Sequence, residues 1–178
     1  YYHIYNRGVA KQDIFFKESH WSFFLRRLKE KFTPNFADIL AYCLMPNHYH
    51  LLVHVKCKNF GHQVMQPMMI SYSKAVNRDM NRVGAIFQGR YQAKLVENSK
   101  QITQLTRYIH RNPIDAGLVY LPEDWKFSSY REYIGIRKGT IPKLDFELLG
   151  FQDKEQYRLF VMSPMDNDKI KHVIFDET

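Results

Sequence analysis

The sequence predicts an α+β fold: one antiparallel sheet built in the order β-α-β-β-α-β, with a further helix added after it. Three observations carry this. Four short segments alternate or run apolar over strand lengths. Two longer segments between them repeat their apolar residues at helical spacing. A Met45-Pro46-Asn47 turn joins two of the strands directly, which makes those two antiparallel neighbours. This is the element order of ferredoxin-like and RRM-like sheets, where both helices pack on one face and leave the other free.

Each element follows from local chemistry. Residues 1–7 alternate as a strand, closed by the turn residues Asn6-Arg7-Gly8. Ser19 is placed to cap a first helix whose stripe is Trp21, Phe24, Leu25, Leu28 and Phe32, stopped by Thr33-Pro34-Asn35. Residues 37–44 form a second, mostly apolar strand, and 46–55 the third. A second helix spans about 63–82, with Met65, Met69, Tyr72, Val76 and Met80 on its inner face and Pro67 in its first turn. That methionine and aromatic stripe reads as core. Residues 91–97 form a fourth strand. Ser99 is placed to cap a third helix over 100–112, buried through Ile102, Leu105 and Ile109 and ended by Pro113. Two shorter helices are expected at 125–134 and 153–161, then a polar tail from Ser163.

The third strand has two unlike faces. Tyr49, Leu51, Val53 and Val55 point one way; His48, His50, Leu52 and His54 point the other. His48 and His50, at i and i+2, have α-carbons roughly 6–7 Å apart, within reach of one metal ion. His54 is roughly 13 Å from His50 and too far to join them. A bare His-x-His is a weak motif, and surface histidines are the ordinary alternative. On the third helix, Tyr108 and Asn112 lie about 40° apart around the axis, so both reach one neighbouring surface.

The chain is long enough for one domain with a real core. No apolar run approaches a membrane span. The chain starts at Tyr1, so residues ahead of it are expected, and no secretory signal stands in what is present. Cys43 and Cys57 have no metal-ligand spacing and read as buried thiols of a reducing cytoplasm. The net charge of +8, with 12 Tyr and 13 Phe as stacking surface, points to a polyanionic partner such as single-stranded nucleic acid.

Several stretches then resemble the single-tyrosine HUH transposases, most of all the REP-associated tyrosine transposases. They are Tyr5-Asn6-Arg7-Gly8, Met45-Pro46-Asn47-His48-Tyr49-His50-Leu51-Leu52-Val53, Phe87-Gln88-Gly89-Arg90-Tyr91, Tyr108-Ile109-His110-Arg111-Asn112-Pro113, Ala116-Gly117-Leu118-Val119 and Trp125-Lys126-Phe127-Ser128-Ser129-Tyr130. They stand in the family's order and cover roughly 1–135. The resemblance implies a catalytic domain over 1–135 and a C-terminal extension over 136–178. It implies that His48 and His50 bind Mg²⁺ or Mn²⁺ with Asn112, and that Tyr108 is the nucleophile. It further implies cleavage and rejoining of hairpin-bearing single-stranded DNA through a 5′-phosphotyrosine, in a bacterial cytoplasm, with no membrane partner. The insertion-sequence branch carries glutamine where this chain has Asn112, which is the residue of the REP-associated branch. Tyr49 fills a middle slot that is usually bulky and apolar.

Tyr72, Tyr91 and Tyr130 compete with Tyr108, and Tyr72 reads as core. His3, His54, His62 and His110 read as surface or hydrogen-bonding histidines. Arg7, Arg90, Lys94, Arg107 and Arg111 flank the motifs and are candidate phosphate contacts, although a solvated face explains most such charges, including Arg78 and Arg82. A non-catalytic single-stranded DNA or RNA binding module, using an exposed aromatic sheet face, is the alternative. A structural zinc protein is weaker, for want of a closed four-ligand pattern. Monomer and homodimer both remain open.

Overall fold

The computed structural model describes residues 1–164 and 170–174. Four strands, β1 (Tyr2–Arg7), β2 (Ala37–Met45), β3 (His48–Val55) and β4 (Gln92–Leu95), form one antiparallel sheet in the order β2-β3-β1-β4. The two-residue turn at Pro46-Asn47 sets Met45 opposite His48, and β1 lies antiparallel on the other side of β3 with Arg7 opposite His48 and Tyr5 opposite His50. The histidine strand is therefore interior, hydrogen-bonded along both sides.

Helices α1 (Glu18–Lys31) and α2 (Gln66–Asp79, led in by a π turn over Gly61–Met65) cover one face. Phe24, Leu28, Met65, Met68, Tyr72 and Val76 meet Ile4, Tyr42, Leu44, Tyr49, Leu51 and Val53 there, all essentially inaccessible. Each such side chain contributes roughly 1.5–3 kcal/mol through lost apolar exposure. Tyr72 is core, as its place in the stripe predicts, and its hydroxyl donates to the Ile14 carbonyl at 2.6 Å. Two start signals differ from expectation. Ser19 lies inside the first turn of α1, whose cap position is Lys17. The cap of α3 (Ser99–Asp115) is Asn98, whose side chain accepts from the Gln101 N–H.

The opposite face is not free. Helix α3 lies across it, and the chain after α3 completes the cover with α4 (Tyr130–Tyr133), α5 (Phe146–Leu149) and α6 (Lys154–Met162). Ala41, Cys43, Met45 and Leu52 of the sheet pack there against Leu105, Ile109, Tyr130, Tyr133, Tyr157 and Val161. A register shift between Ile39 and Ala41 turns both Leu40 and Ala41 toward this side. Both faces of β2 are thus buried, which is why its sequence runs apolar without alternation. Cys43 is fully buried and Cys57 partly so; both are free thiols, and burial pushes the Cys43 thiol well up.

Two more expectations change. Pro113 does not end α3 but sits inside it, and the helix runs one more half-turn to Asp115. The sequence predicts a polar tail from Ser163. Residues 165–169 and 175–178 lie outside the described residues, but Ile170 and Val173 are buried against the second core. That core draws on both sides of position 135, so the extension folds onto the sheet.

The outer edge of β2 is occupied by later loops. The Leu44 N–H donates to the Phe127 carbonyl, the Ser129 N–H to the Tyr42 carbonyl, and the Lys143 N–H to the Ile39 carbonyl at 2.7 Å. The other edge strand, β4, is only four residues long.

Candidate active site

Helix α3 crosses the sheet where β3 carries its histidines. The imidazoles of His48 and His50 meet nearly perpendicular with ring centres 4.8 Å apart. Asn112 faces His48, with Oδ1 3.0 Å from Nε2. One turn earlier, the Tyr108 ring stands edge-on to His50 at 5.4 Å. The i, i+4 spacing on α3 and the i, i+2 spacing on β3 thus converge on one spot. All four side chains are buried, His50 completely.

Burial sets the charge state. It pushes His48 down to about 4, against a smaller upward pull from Asn112, and holds His50 well below the ordinary range, with His48 and His3 adding in the same direction. Both rings are neutral at physiological pH, the form that binds metal. A neutral His48 has one N–H but two oxygens to face, since Nδ1 also lies 2.6 Å from Oδ1 of Asn47. With the proton at Nδ1, Nε2 and the Asn112 oxygen are two acceptors facing each other. A divalent cation taken up by both atoms would relieve that contact, so the donor set fits a divalent metal. Among the described residues no trio of His, Cys, Asp or Glu is arranged to hold a metal. A site here therefore needs the carboxamide of Asn112.

Two grooves of ≈ 410 Å³ each open beside the cluster and meet at Arg7. One runs along Arg7, Lys11, Pro46, Asn47, His48 and Leu118. The other is lined by Tyr5, Asn6, Arg7, Gln88, Arg90 and Lys94. Arg7 donates through Nε to Gln88, and Asn6 donates to the Gly89 carbonyl at 3.0 Å, so the Gln88–Gly89 loop is tied to the end of β1. Arg7, Arg90 and Lys94 are brought together.

Arg107 and Arg111 are not part of that surface, which corrects their candidacy as phosphate contacts. Arg107 is buried over the Phe160 ring and donates to the Ser163 and Pro164 carbonyls. Arg111 donates to the Val161 carbonyl at 3.1 Å and pairs with Asp115. Both lie on the flank of α3 that faces α6, and both are spent closing the end of α6, whose last carbonyls lack partners within the helix.

The other histidines divide. His54 stacks on Tyr1 and His62 bonds to Gln66, both away from the cluster. His110 takes the hydrogen-bonding role, fully buried between the Tyr157 hydroxyl at 2.5 Å and Ser129 Oγ at 2.7 Å, and burial pushes it down to about 3. His3 is also fully buried, with Nε2 2.9 Å from Nδ1 of His50. Tyr5, opposite His50 in the sheet, lies 6.3 Å from it ring to ring. Sequence reasoning missed His3 and Tyr5 as neighbours of the site. The antiparallel pairing of β1 with β3 is the signal that would have found them, because it puts their side chains on the face of His50. Of the competing tyrosines, Tyr72 and Tyr130 belong to the two cores, and Tyr91 is half-buried with its hydroxyl against Gly61.

A family model described as "Transposase IS200 like" matches residues 1–112. A protein of Haemophilus influenzae, described as a "Putative REP-associated tyrosine transposase", is 26% identical over 107 residues, covering 52% of this chain and 58% of its own length. The chain therefore spans little more than half of that relative. Among solved structures, a REP-associated tyrosine transposase bound to a REP hairpin superposes with a TM-score of 0.58 over 81% of this chain and 87% of that one, at 16% identity. That likeness is one of fold. The family match takes in β1 through β4 and α3 as far as Asn112, and the chain belongs to the IS200-like transposase family.

Proposed function

We propose that the chain cuts and rejoins hairpin-bearing single-stranded DNA, with Tyr108 as nucleophile and His48, His50 and Asn112 holding Mg²⁺ or Mn²⁺. The observation that carries this is the convergence of Tyr108 and Asn112 from one helix on the two histidines of the central strand. A divalent ion held there supplies Lewis-acid polarisation of the scissile phosphate and offsets its charge. The Tyr108 oxygen attacks phosphorus and forms a Tyr–O–P bond to the 5′ side. The bond to the 3′ oxygen breaks, and that oxygen leaves as a hydroxyl, the phenol proton replacing the lost bond. A 3′-hydroxyl attacking the phosphotyrosine reverses the sequence and frees Tyr108. One ester replaces another at each stage, so no external energy source is needed. His48 and His50 stay neutral and serve as donors, not as bases.

The partner follows from the grooves. Arg7, Lys11 and Arg90 give a mainly cationic path past the cluster, suited to a phosphate backbone, with Asp13 also on its lining; Lys94 lies beside it and donates to the Ile174 carbonyl at 2.7 Å. The solved relative was captured with a REP hairpin, and a hairpin with unpaired flanking bases is the partner proposed here. The binding-module alternative has less support, because it needs a broad exposed sheet face, and β2 and β3 are covered on both sides, leaving only β1 and β4 beside the open groove.

The test is a covalent adduct. The protein is mixed with end-labelled hairpin oligonucleotides and Mn²⁺ or Mg²⁺ and run on a denaturing gel. A protein–DNA band abolished by EDTA and by Tyr108→Phe, but retained in Tyr5→Phe, is expected. A band that survives Tyr108→Phe would refute the assignment of the nucleophile. Tight, salt-sensitive binding with no band on a broad hairpin panel would refute the reaction.

A further inference from the structure

Beyond the groups that would touch metal or DNA, a chain of ring nitrogens runs into the site from behind. Nδ1 of His3 lies 2.5 Å from the Val173 carbonyl oxygen, and Nε2 of the same ring lies 2.9 Å from Nδ1 of His50. The two rings overlap with centres 5.1 Å apart and planes within 25°. We propose that His3 is a positioning residue that fixes the tautomer of His50, placing its proton on Nδ1 and its lone pair on Nε2.

A carbonyl oxygen only accepts, so Nδ1 of His3 carries a hydrogen. His3 is wholly inaccessible, and among the described residues His50, Tyr5, Tyr108, His48 and Lys94 surround it, none of them anionic at neutral pH. Among the described residues no carboxylate faces the ring, and complete burial outweighs the support that the Val173 carbonyl gives a charged form, so His3 is neutral and its Nε2 has only a lone pair. The proton in the 2.9 Å contact must then come from His50 Nδ1. A neutral His50 that donates from Nδ1 has no hydrogen on Nε2. This runs against the preference of imidazole in water, where the Nε2–H form predominates, so the protein has to impose it. Ligating histidines generally have the ring nitrogen that does not bind metal held by a carboxylate or carbonyl. Here the carbonyl acts at one remove, through a second imidazole. Val173 belongs to the C-terminal extension, which gives that segment a part in preparing the site.

The inference bears on metal binding through the proposed role of His50, but the tautomer itself is measured without metal or DNA. The full chain, labelled with ¹⁵N-histidine and free of metal, is examined by long-range ¹H–¹⁵N correlation NMR, and Mn²⁺ affinity is measured separately by EPR titration. The wild type is expected to show His50 protonated at Nδ1. In His3→Phe, which keeps the stacked ring but has no nitrogen, His50 should revert to the Nε2–H form, and Mn²⁺ should bind roughly 10- to 100-fold more weakly. His3→Gln offers an N–H to Val173 and an oxygen to His50, and should retain the wild-type tautomer and affinity. A wild-type His50 protonated at Nε2 overturns the proposal, as does a His3→Phe variant with unchanged tautomer and affinity. If His3→Phe does not fold, the wild-type spectrum and His3→Gln decide. An Nδ1–H wild type that binds no Mn²⁺ would overturn the metal reading and uphold this one.

Discussion

Acidification is expected to unfold this chain through groups that cannot take up a proton in place, and His110 isolates the effect. It sits in the second core between Tyr157 and Ser129, where burial holds it at about 3 against an ordinary 6.5. The unfolded chain therefore binds a proton below pH 6.5 that the native chain refuses. The resulting stability is complete above pH 6.5 and is lost as the pH falls toward 3. Each pH unit in that window costs a factor of ten in the folding equilibrium. From 6.5 to 4.5 the loss is a hundredfold, about 3 kcal/mol for this one residue. His3 and His48, both held at about 4 mainly by burial, act in the same direction. A domain with roughly 5–15 kcal/mol in hand should thus be close to unfolding near pH 4.5. Urea titrations followed by far-UV circular dichroism at pH 7.5, 6.5, 5.5 and 4.5 measure the slope. His110→Gln, which does not titrate, should start less stable at pH 7.5 but lose less on acidification, by about one proton. Equal slopes in wild type and variant would refute the reasoning, whatever their stabilities at neutral pH.

Three other outcomes are open to direct measurement. Arg107→Ala is expected to cost roughly 2–3 kcal/mol of stability by stranding the carbonyls at the end of α6, while leaving the salt dependence of DNA binding unchanged; a lower salt slope would return Arg107 to the DNA surface. Arg90→Ala should do the reverse, keeping the melting temperature and lowering the slope of log K against log salt by about 0.7–0.9, the share of one phosphate contact. Gly8→Ala should cost about 1–3 kcal/mol in chemical denaturation, because a Cβ there would stand 2.0 Å from the Gln12 carbonyl oxygen and the backbone would have to move.

The central sheet and its helices were legible because each element carried its own period. The alternation in β3 separated Tyr49, Leu51 and Val53 from His48 and His50, and burial follows that division into two cores. The placement of Tyr108 and Asn112 on one helical face was legible for the same reason. What local pattern could not supply was the layer that covers the second face. Tyr157, Val161, Ile170 and Val173 are spread over an irregular stretch with no sustained period, and their burial depends on α3 lying across the sheet. The same long-range packing decides which cations meet solvent. Arg107 and Arg90 look alike in sequence, yet one closes α6 and the other lines an open groove. His3 is a similar case, since its partner is set by strand pairing across 47 positions. Pro113 was read as a stop because a proline lacks the N–H of the next helical bond, but a helix with so little left to run loses only one bond by carrying it.

The fittings along β2 also bear on how copies of this chain can associate. A sheet with a bare margin invites a second molecule to continue it, strand on strand, which is the usual route from a folded monomer to a ribbon of stacked sheets. Here that margin already serves Phe127, Ser129 and Lys143. The opposite margin offers only the four residues of β4. Continuation across β2 would first have to peel away the loops that hold the second core in place, so the same hydrogen bonds that secure the covering layer also guard the sheet against growth.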